Sequence, residues 1–369
     1  MNKQMDGYWP TVCSGDEIIS IPTNIGILAD EFLSSVYGQM ARKFVFRRGD
    51  DVFAHVCVAM PIPGTPYFFA DPWRGYYDPY FSISDQRFLV QALSAYGEWC
   101  CDQGIIGEFM RLNPVGNFLD VLGTGAGYIV DSGQLVSILP TPLSIDQYIS
   151  ALPKKCRYSV RSAARRLHVA RVAKEQADEM YGIAHAHAVS LTRSRAQTKW
   201  FLNIDDYARL LRLPCIDIFS VYAHTQSDVV AMAVTLASGD TIQVLMLGAL
   251  DNATYAGASD LLYFHIVRRA LERRNTGEPI AWICFGGGHG TGSRDSLINF
   301  KMKFSLGRAE RCRYLILKHN QKAIDELSSL HGHGTAPPDP SSQLKARHFP
   351  FLNVLKPIDA RTLALDHLH

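Results

Sequence analysis

The chain has 369 residues, 47% of them hydrophobic and 20% charged, with a formal net charge of +2. That length and composition suit two domains of ordinary size and exclude a disordered tail protein. The near-neutral balance excludes a uniformly basic nucleic-acid binder, while leaving room for a local basic patch.

In chain order, the first 17 residues, MNKQMDGYWPTVCSGDE, lack the charged start and apolar stretch of a signal peptide. Residues 52–60 and 67–70 are short, β-branched or aromatic runs and predict strands. Residues 86–102 predict an amphipathic helix, with Phe88, Leu89, Ala92, Leu93, Tyr96 and Trp99 near helical spacing. Gly104 and Gly107 end it, and 107–112 predicts a strand, followed by strand-like runs at 118–122 and 127–130. Residues 144–174, SIDQYISALPKKCRYSVRSAARRLHVARVAK, mark a boundary: Ser144 can cap a helix, Pro153 breaks it, and a basic helix follows. Helices at 175–193 and 204–212 come next, then strands at 216–223, 229–237 and 241–247. A long helix at 259–274 precedes a strand at 279–285 and a glycine loop. From Gly332 the sequence HGTAPPDPSSQ predicts an exposed tail.

No run of about 18 apolar residues occurs, which predicts no transmembrane helix. The eight cysteines form no CxxC pair, so no zinc knuckle is expected, and several sit in apolar runs as small buried hydrophobes. These features fit a reducing cytoplasm. His185 and His187, two apart on a predicted helix, cannot share one face and are rejected as metal ligands.

The richest stretch is 285–305, FGGGHGTGSRDSLINFKMKFS. It starts where a buried strand ends and carries five glycines before a helix-like segment. Glycines there let backbone amides approach an anion or oxyanion, although a plain tight turn is the simpler reading. No GK[ST] follows, so it is not a Walker loop.

Together, FGGG with the later Phe300-Lys301 and Phe304-Ser305, the strand end Glu108-Phe109-Met110-Arg111-Leu112-Asn113-Pro114, and Leu152-Pro153-Lys154-Lys155-Cys156-Arg157 with Val160-Arg161-Ser162-Ala163 resemble the signatures of the Fem-type (FemABX) branch of the GNAT acyltransferase superfamily, in that family's order. The resemblance implies an α/β (α+β) fold of two tandem GNAT-like domains, each a mixed sheet flanked by helices. The expected divisions are 1–150, 151–330 carrying the FGGG…FK signature, and an exposed tail at 331–369. It also implies a cytoplasmic acyltransferase that forms an amide on an amine, with Lys301 stabilising the oxyanion of the tetrahedral intermediate. His289 and Asp295 are the ionisable candidates for proton removal, each with a structural alternative. Gly286, Gly287, Gly288, Phe300, Arg193, Arg195, Tyr207, Tyr76 and Tyr77 are the expected substrate-binding residues. One departure is notable: Met246-Leu247-Gly248 stands where a tyrosine is expected, which weakens the case for a muropeptide acceptor. The acceptor is left as a small molecule or peptide of a specialised biosynthetic pathway.

Two donors remain open. Acyl-CoA-using GNAT enzymes carry [RQ]-x-x-G-x-[GA] at a strand–helix junction, where amides hold the pyrophosphate. Tyr255-Ala256-Gly257-Ala258-Ser259 offers small residues but not that pattern. The mismatch favours aminoacyl-tRNA as co-substrate, with no other cofactor and acyl-CoA as the alternative. Lys154, Lys155, Arg157, Arg161 and Arg165 form the expected tRNA-binding stripe, its plain alternative being a solvated helix face. Arg268, Arg269, Arg273 and Arg274 complement the dipole of the long helix and need no ligand. A third reading is a catalytically inactive GNAT-like module that binds RNA or a metabolite.

Overall fold

The computed structural model describes residues 40–71, 75–83, 85–123, 128–173, 176, 179–194, 196, 200–224, 228–250, 253–288, 295–331, 345 and 347–355. Strands and helices mix in an α/β architecture, with sheet faces covered by helices. The chain divides into two compact units, 1–133 with 312–369, and 134–311. These differ from the expected divisions at 150 and 330.

In the first unit, β1 (Ala41–Arg48), β2 (Asp51–Pro61), β3 (Phe68–Asp71), β5 (Ile105–Arg111) and β12 (Ala309–Lys318) lie side by side in the order β1-β2-β3-β5-β12, with β4 (Tyr80–Ser82) also on β2. The β12 pairing explains the division: Tyr314 to Lys318 hydrogen-bond antiparallel to β5, so a late segment completes an early sheet. Helix α1 (Gln86–Asp102) starts at Asp85, whose carboxylate accepts from the Arg87 amide at 2.9 Å. Its buried face, Phe88, Leu89, Ala92, Tyr96 and Trp99, packs on Phe44, Phe53, Met110 and Leu315. Gly104 alone ends that helix, and β5 begins at Ile105 with Gly107 inside it. Residues 118–122 form a helix, α2 (Phe118–Leu122), instead of the expected strand. Phe118 and Leu122, four apart, bury one helical face there.

The expectation of an exposed tail fails at 349–351. Phe349 and Phe351 are fully buried around a 3₁₀ turn at Pro350–Asn353. The Phe349 ring meets Phe69 edge-on at 4.9 Å and fills the space over Gly107, where a Cβ would lie 2.3 Å from it. The Pro/Ser-rich composition of 332–343 hid this apolar segment; helix α9 (Gln321–His331) was likewise not anticipated.

In the second unit the strand order is β6-β11-β10-β9-β8-β7. The strands are β6 (Tyr128–Pro140), β7 (Leu167–Arg171), β8 (Ile216–Ala223), β9 (Val229–Ser238), β10 (Thr241–Ala249) and β11 (Trp282–Gly287). All neighbours are antiparallel except β10 and β11. The carboxyl ends of β8, β10 and β11 and the amino ends of β7 and β9 therefore share one end of the sheet. Every residue of β8 and β9 is buried, as expected of central strands covered on both faces. Helices α4 (Lys154–Ala164) and α7 (Ala258–Asn275) share a core with Phe219, Val221 and Ala233, while α5 (Met180–Arg193) lies on β9 and β10. Gly248 permits that last contact, since a Cβ there would sit 2.6 Å from the His187 Cα. A tyrosine at this register would push α5 off the sheet. Short helices α3 (Ile145–Ala151) and α6 (Ile204–Arg212) complete the unit with α8 (Ser296–Met302).

The basic end of α7 is internally paired. Arg269 and Arg273 reach the buried Asp217 carboxylate at 3.0 and 3.5 Å. Arg273 also pairs with Glu278 at 2.6 Å, and Arg274 donates to the carbonyls of Thr141, Pro142 and Leu143.

Candidate functional site

Strand β11 runs out at Gly286 and Gly287, and Gly286 takes φ of +83°. A side chain at Gly286 would be strained by that backbone and would place its Cβ 3.2 Å from Lys301 Nζ. Asp295 caps α8, its Oδ1 accepting from the amides of Leu297 at 2.8 Å and Ile298 at 3.2 Å. The same carboxylate occupies the space beside Gly288, where a Cβ would lie 2.2 Å from Oδ2. Asp295 thus holds the helix start against the strand end. Lys301, in the last turn of α8, returns to the strand and donates Nζ to the Gly287 carbonyl at 2.6 Å. Burial depresses the Lys301 ammonium to about 8, against the opposing pull of Cys284 and Asp295. Burial likewise pushes the neighbouring Cys284 thiol up to about 11.

Phe300 holds this helix in place. Its ring packs on Tyr263 and Phe304, both at 5.6 Å, and Tyr263 in turn meets Phe285 at 5.2 Å. Lys303 Nζ sits over the Phe300 ring, 5.0 Å from its centre. Four rings thereby lock the end of β11, the start of α7 and the helix bearing Lys301 into one arrangement.

The other described candidates sit on other elements. Tyr207 is fully buried and hydrogen-bonded to His187 Nδ1, so it is a core side chain with no surface for substrate. Arg193 is exposed at the end of α5, near Ser190 Oγ at 3.4 Å. Tyr76 and Tyr77 belong to the first unit, where Tyr76 is buried and the Tyr77 amide donates to the Arg111 carbonyl at 2.9 Å. Arg195 and His289 lie outside the described residues.

The junction between β10 and α7, with its small residues at 256–259, is packed against α4. Gly257, at φ +87°, caps α7; a Cβ there would lie 3.0 Å from Ala163 and 3.2 Å from Ser159 Oγ of α4. Asp260, in the first turn, accepts from Ser159 Oγ at 2.8 Å. Arg166 donates to the carbonyls of Thr254 and Ala256 at 2.6 and 2.9 Å. A carboxylate and a packed helix stand where an anion would need free amides.

Helix α4 buries Cys156, Val160 and Ala163 and exposes the opposite side. Arg157 is drawn off the expected stripe, because its guanidinium donates to the carbonyls of Ser150 at 2.7 Å and Ile149 at 3.5 Å at the end of α3. The exposed stripe is instead Lys154, Tyr158, Arg161 and Arg165, with Lys155 beside it and Tyr158 75% exposed.

A second cluster, in the first unit, escaped the sequence reading. Glu108 is 1% exposed and meets His55 Nε2 and the Tyr96 hydroxyl, each at 2.7 Å, and His319 Nε2 at 3.9 Å. Burial alone would raise this carboxyl; the two imidazoles, His55 foremost, hold it down at about 2.

The family model "Acetyltransferase (GNAT) domain" matches residues 154–294, within the second unit. Among solved structures, FemX is similar at a TM-score of 0.58 and 14% identity, over 78% of this chain and 90% of that one. The chain is thus similar in fold to FemX and, over 154–294, matches the GNAT domain model. A C-terminal domain (DUF2156) from Agrobacterium fabrum, described as that of a lysylphosphatidylglycerol synthetase, is similar at 0.52 and 15% identity, over 82% of this chain and 93% of that one. A conserved protein of unknown function from Bacteroides thetaiotaomicron reaches 0.50 at 10% identity, over 79% and 91%. At such identities the likeness extends to the fold alone. No curated protein is close enough in sequence to match. Among the described residues, no helix is long and apolar enough to cross a membrane.

Proposed function

We propose that this chain is a cytoplasmic acyltransferase of two tandem GNAT-like units that moves an aminoacyl group from aminoacyl-tRNA to an amine. The product is an amide on a small-molecule or peptide acceptor. The observation that carries the reading is Lys301, a desolvated cation held by the Gly287 carbonyl at the end of β11. The acceptor nitrogen attacks the ester carbonyl, negative charge gathers on its oxygen, and a fixed cation in a low-dielectric site stabilises that charge where it develops. Collapse breaks the ester C–O bond, and the proton lost by the amine ends on the leaving hydroxyl. His289 and Asp295 are the loop candidates for carrying that proton.

Two features favour aminoacyl-tRNA over acyl-CoA. The α7 amino end is covered by α4 and carries Asp260, which disfavours a pyrophosphate there. The exposed Lys154, Arg161 and Arg165 offer charges to a phosphate backbone. Binding of deacylated bulk tRNA and of CoA across a salt series tests the choice. The expected result is tRNA binding that falls steeply with salt and weakens in an Arg161→Glu/Arg165→Glu variant. CoA binding without tRNA binding would replace this reading with an acyl-CoA-dependent N-acyltransferase. Undiminished function in Lys301→Ala would return the chain to a non-catalytic binding module.

A further inference from the structure

Beside the basic stripe lies a stack of three rings. His168 on β7 faces Tyr222 on β8 across the ladder, with ring centres 5.1 Å apart and planes within 20°. His224, two residues past Tyr222 and so on the same sheet face, stacks on His168 at 5.5 Å and 12°. Tyr222 is buried and its hydroxyl meets the Glu179 carboxylate, which fixes the base of the stack. His168 and His224 are exposed. The histidines occupy the last strand of the sheet order and the end of its neighbour, where nothing described covers them.

Their surroundings are basic. Arg165, the last residue of the exposed stripe, comes three residues before His168, and the His224 amide donates to the Arg166 carbonyl at 2.9 Å. The stripe therefore abuts the rings. Pre-aligned flat rings at the end of a line of cations match an unpaired nucleic-acid strand: the charges take phosphates, and the rings take a base through its π-face, whatever its sequence. Location agrees with this. The amino end of β7 and the carboxyl end of β8 lie at the same end of the sheet as the carboxyl end of β11, where Lys301 is held. Four strand intervals separate β7 from β11 in the sheet order, about 19 Å at roughly 4.8 Å each. A strand touching both would have to be several nucleotides long.

We infer that His168 and His224, stacked on Tyr222, are a base-stacking platform for an unpaired nucleotide of the donor RNA. The inference rests on the aminoacyl-tRNA reading and adds a subsite to it. A base near the 3′ end lies on the rings while the acylated end extends towards Lys301. The platform grips single-stranded RNA only, so it contributes nothing to binding of the paired arms.

The test measures fluorescence-anisotropy affinities of the full chain for deacylated tRNA, intact or with its unpaired 3′ nucleotides removed. A His168→Ala/His224→Ala variant should bind intact tRNA about 5- to 150-fold more weakly than wild type, from stacking worth roughly 1–3 kcal/mol per base. It should bind trimmed tRNA as wild type does, with the same salt slope. A His168→Phe/His224→Phe variant, keeping flat rings, should retain the wild-type preference for intact tRNA. Equal affinity of wild type and the alanine variant for intact tRNA would overturn the platform. If Arg161→Glu/Arg165→Glu weakens binding in that same case, the donor reading survives without it. Failure of the wild type to bind tRNA at any salt concentration would remove both.

Discussion

At pH 7 the folded protein keeps Lys301 charged in surroundings that disfavour charge. Depression from 10.5 to about 8 corresponds to about 3 kcal/mol held against folding. A stored cost of that kind fits the oxyanion role proposed for Lys301. Lys301→Met should therefore abolish transfer while raising the thermal midpoint at pH 7, as read by calorimetry and a single-turnover assay. A lower midpoint would make the lysine a structural partner of Gly287. The pH dependence has a definite sign: Lys301 is cationic below about 8, so transfer should fall as pH rises through that value. Lys301→Arg, which stays charged, should lose that descending limb in a pH–rate profile. Glu108 behaves in the opposite sense for stability. Its folded value near 2 lies below the usual 4.5, so its contribution is full above about pH 4.5 and is lost as pH falls towards 2. Glu108→Gln should lower unfolding free energy by about 1.5–3 kcal/mol at pH 7, the range for hydrogen bonds to a charged group, and should flatten the acid limb. Urea titrations at pH 7 and pH 3 would check both statements.

Among the elements, what could be read from the residues followed period and punctuation. The α1 face, the Ser144 cap and the buried runs of β8 and β9 each express a local rule, and each stands in the structure. Lys301 is legible only through the resemblance that its FGGG…FK stretch bears to the Fem-type signature. Long-range partners were not visible. Tyr207 looked like a groove residue until His187 closed on it, and Arg157 looked free until the end of α3 claimed it. His168 and His224 carry no motif; only the β7–β8 register brings them together. The same holds for the contact of α4 with α7. Gly257→Ala adds a methyl group at a left-handed residue pressed on Ala163 and should cost about 1–2 kcal/mol, measurable by urea unfolding. An unchanged midpoint would mean that the two helices separate freely at this point.

For the molecule as a whole, the late segments decide the first unit. β12 completes its sheet, and Phe349 fills the space over Gly107. Phe349→Ala should destabilise by about 3–5 kcal/mol, the range for removing a buried phenylalanine, and should expose apolar surface detectable by dye binding. An effect under about 1 kcal/mol would show the aromatic lid to be dispensable. The second unit, by contrast, is one uninterrupted stretch, 134–311. That arrangement sets a timetable on the ribosome. The opening part of the first unit emerges early and must wait for β12 and Phe349, the latter more than 200 residues after Gly133. At about 5–20 residues per second the delay lasts at least roughly ten to forty seconds. Meanwhile the unpaired edge of β5 and the bare ring of Phe69 stay open to wrong partners. Newly made chains should therefore depend on chaperones mainly through their amino-terminal third, although the Lys301 site belongs to the part made after it.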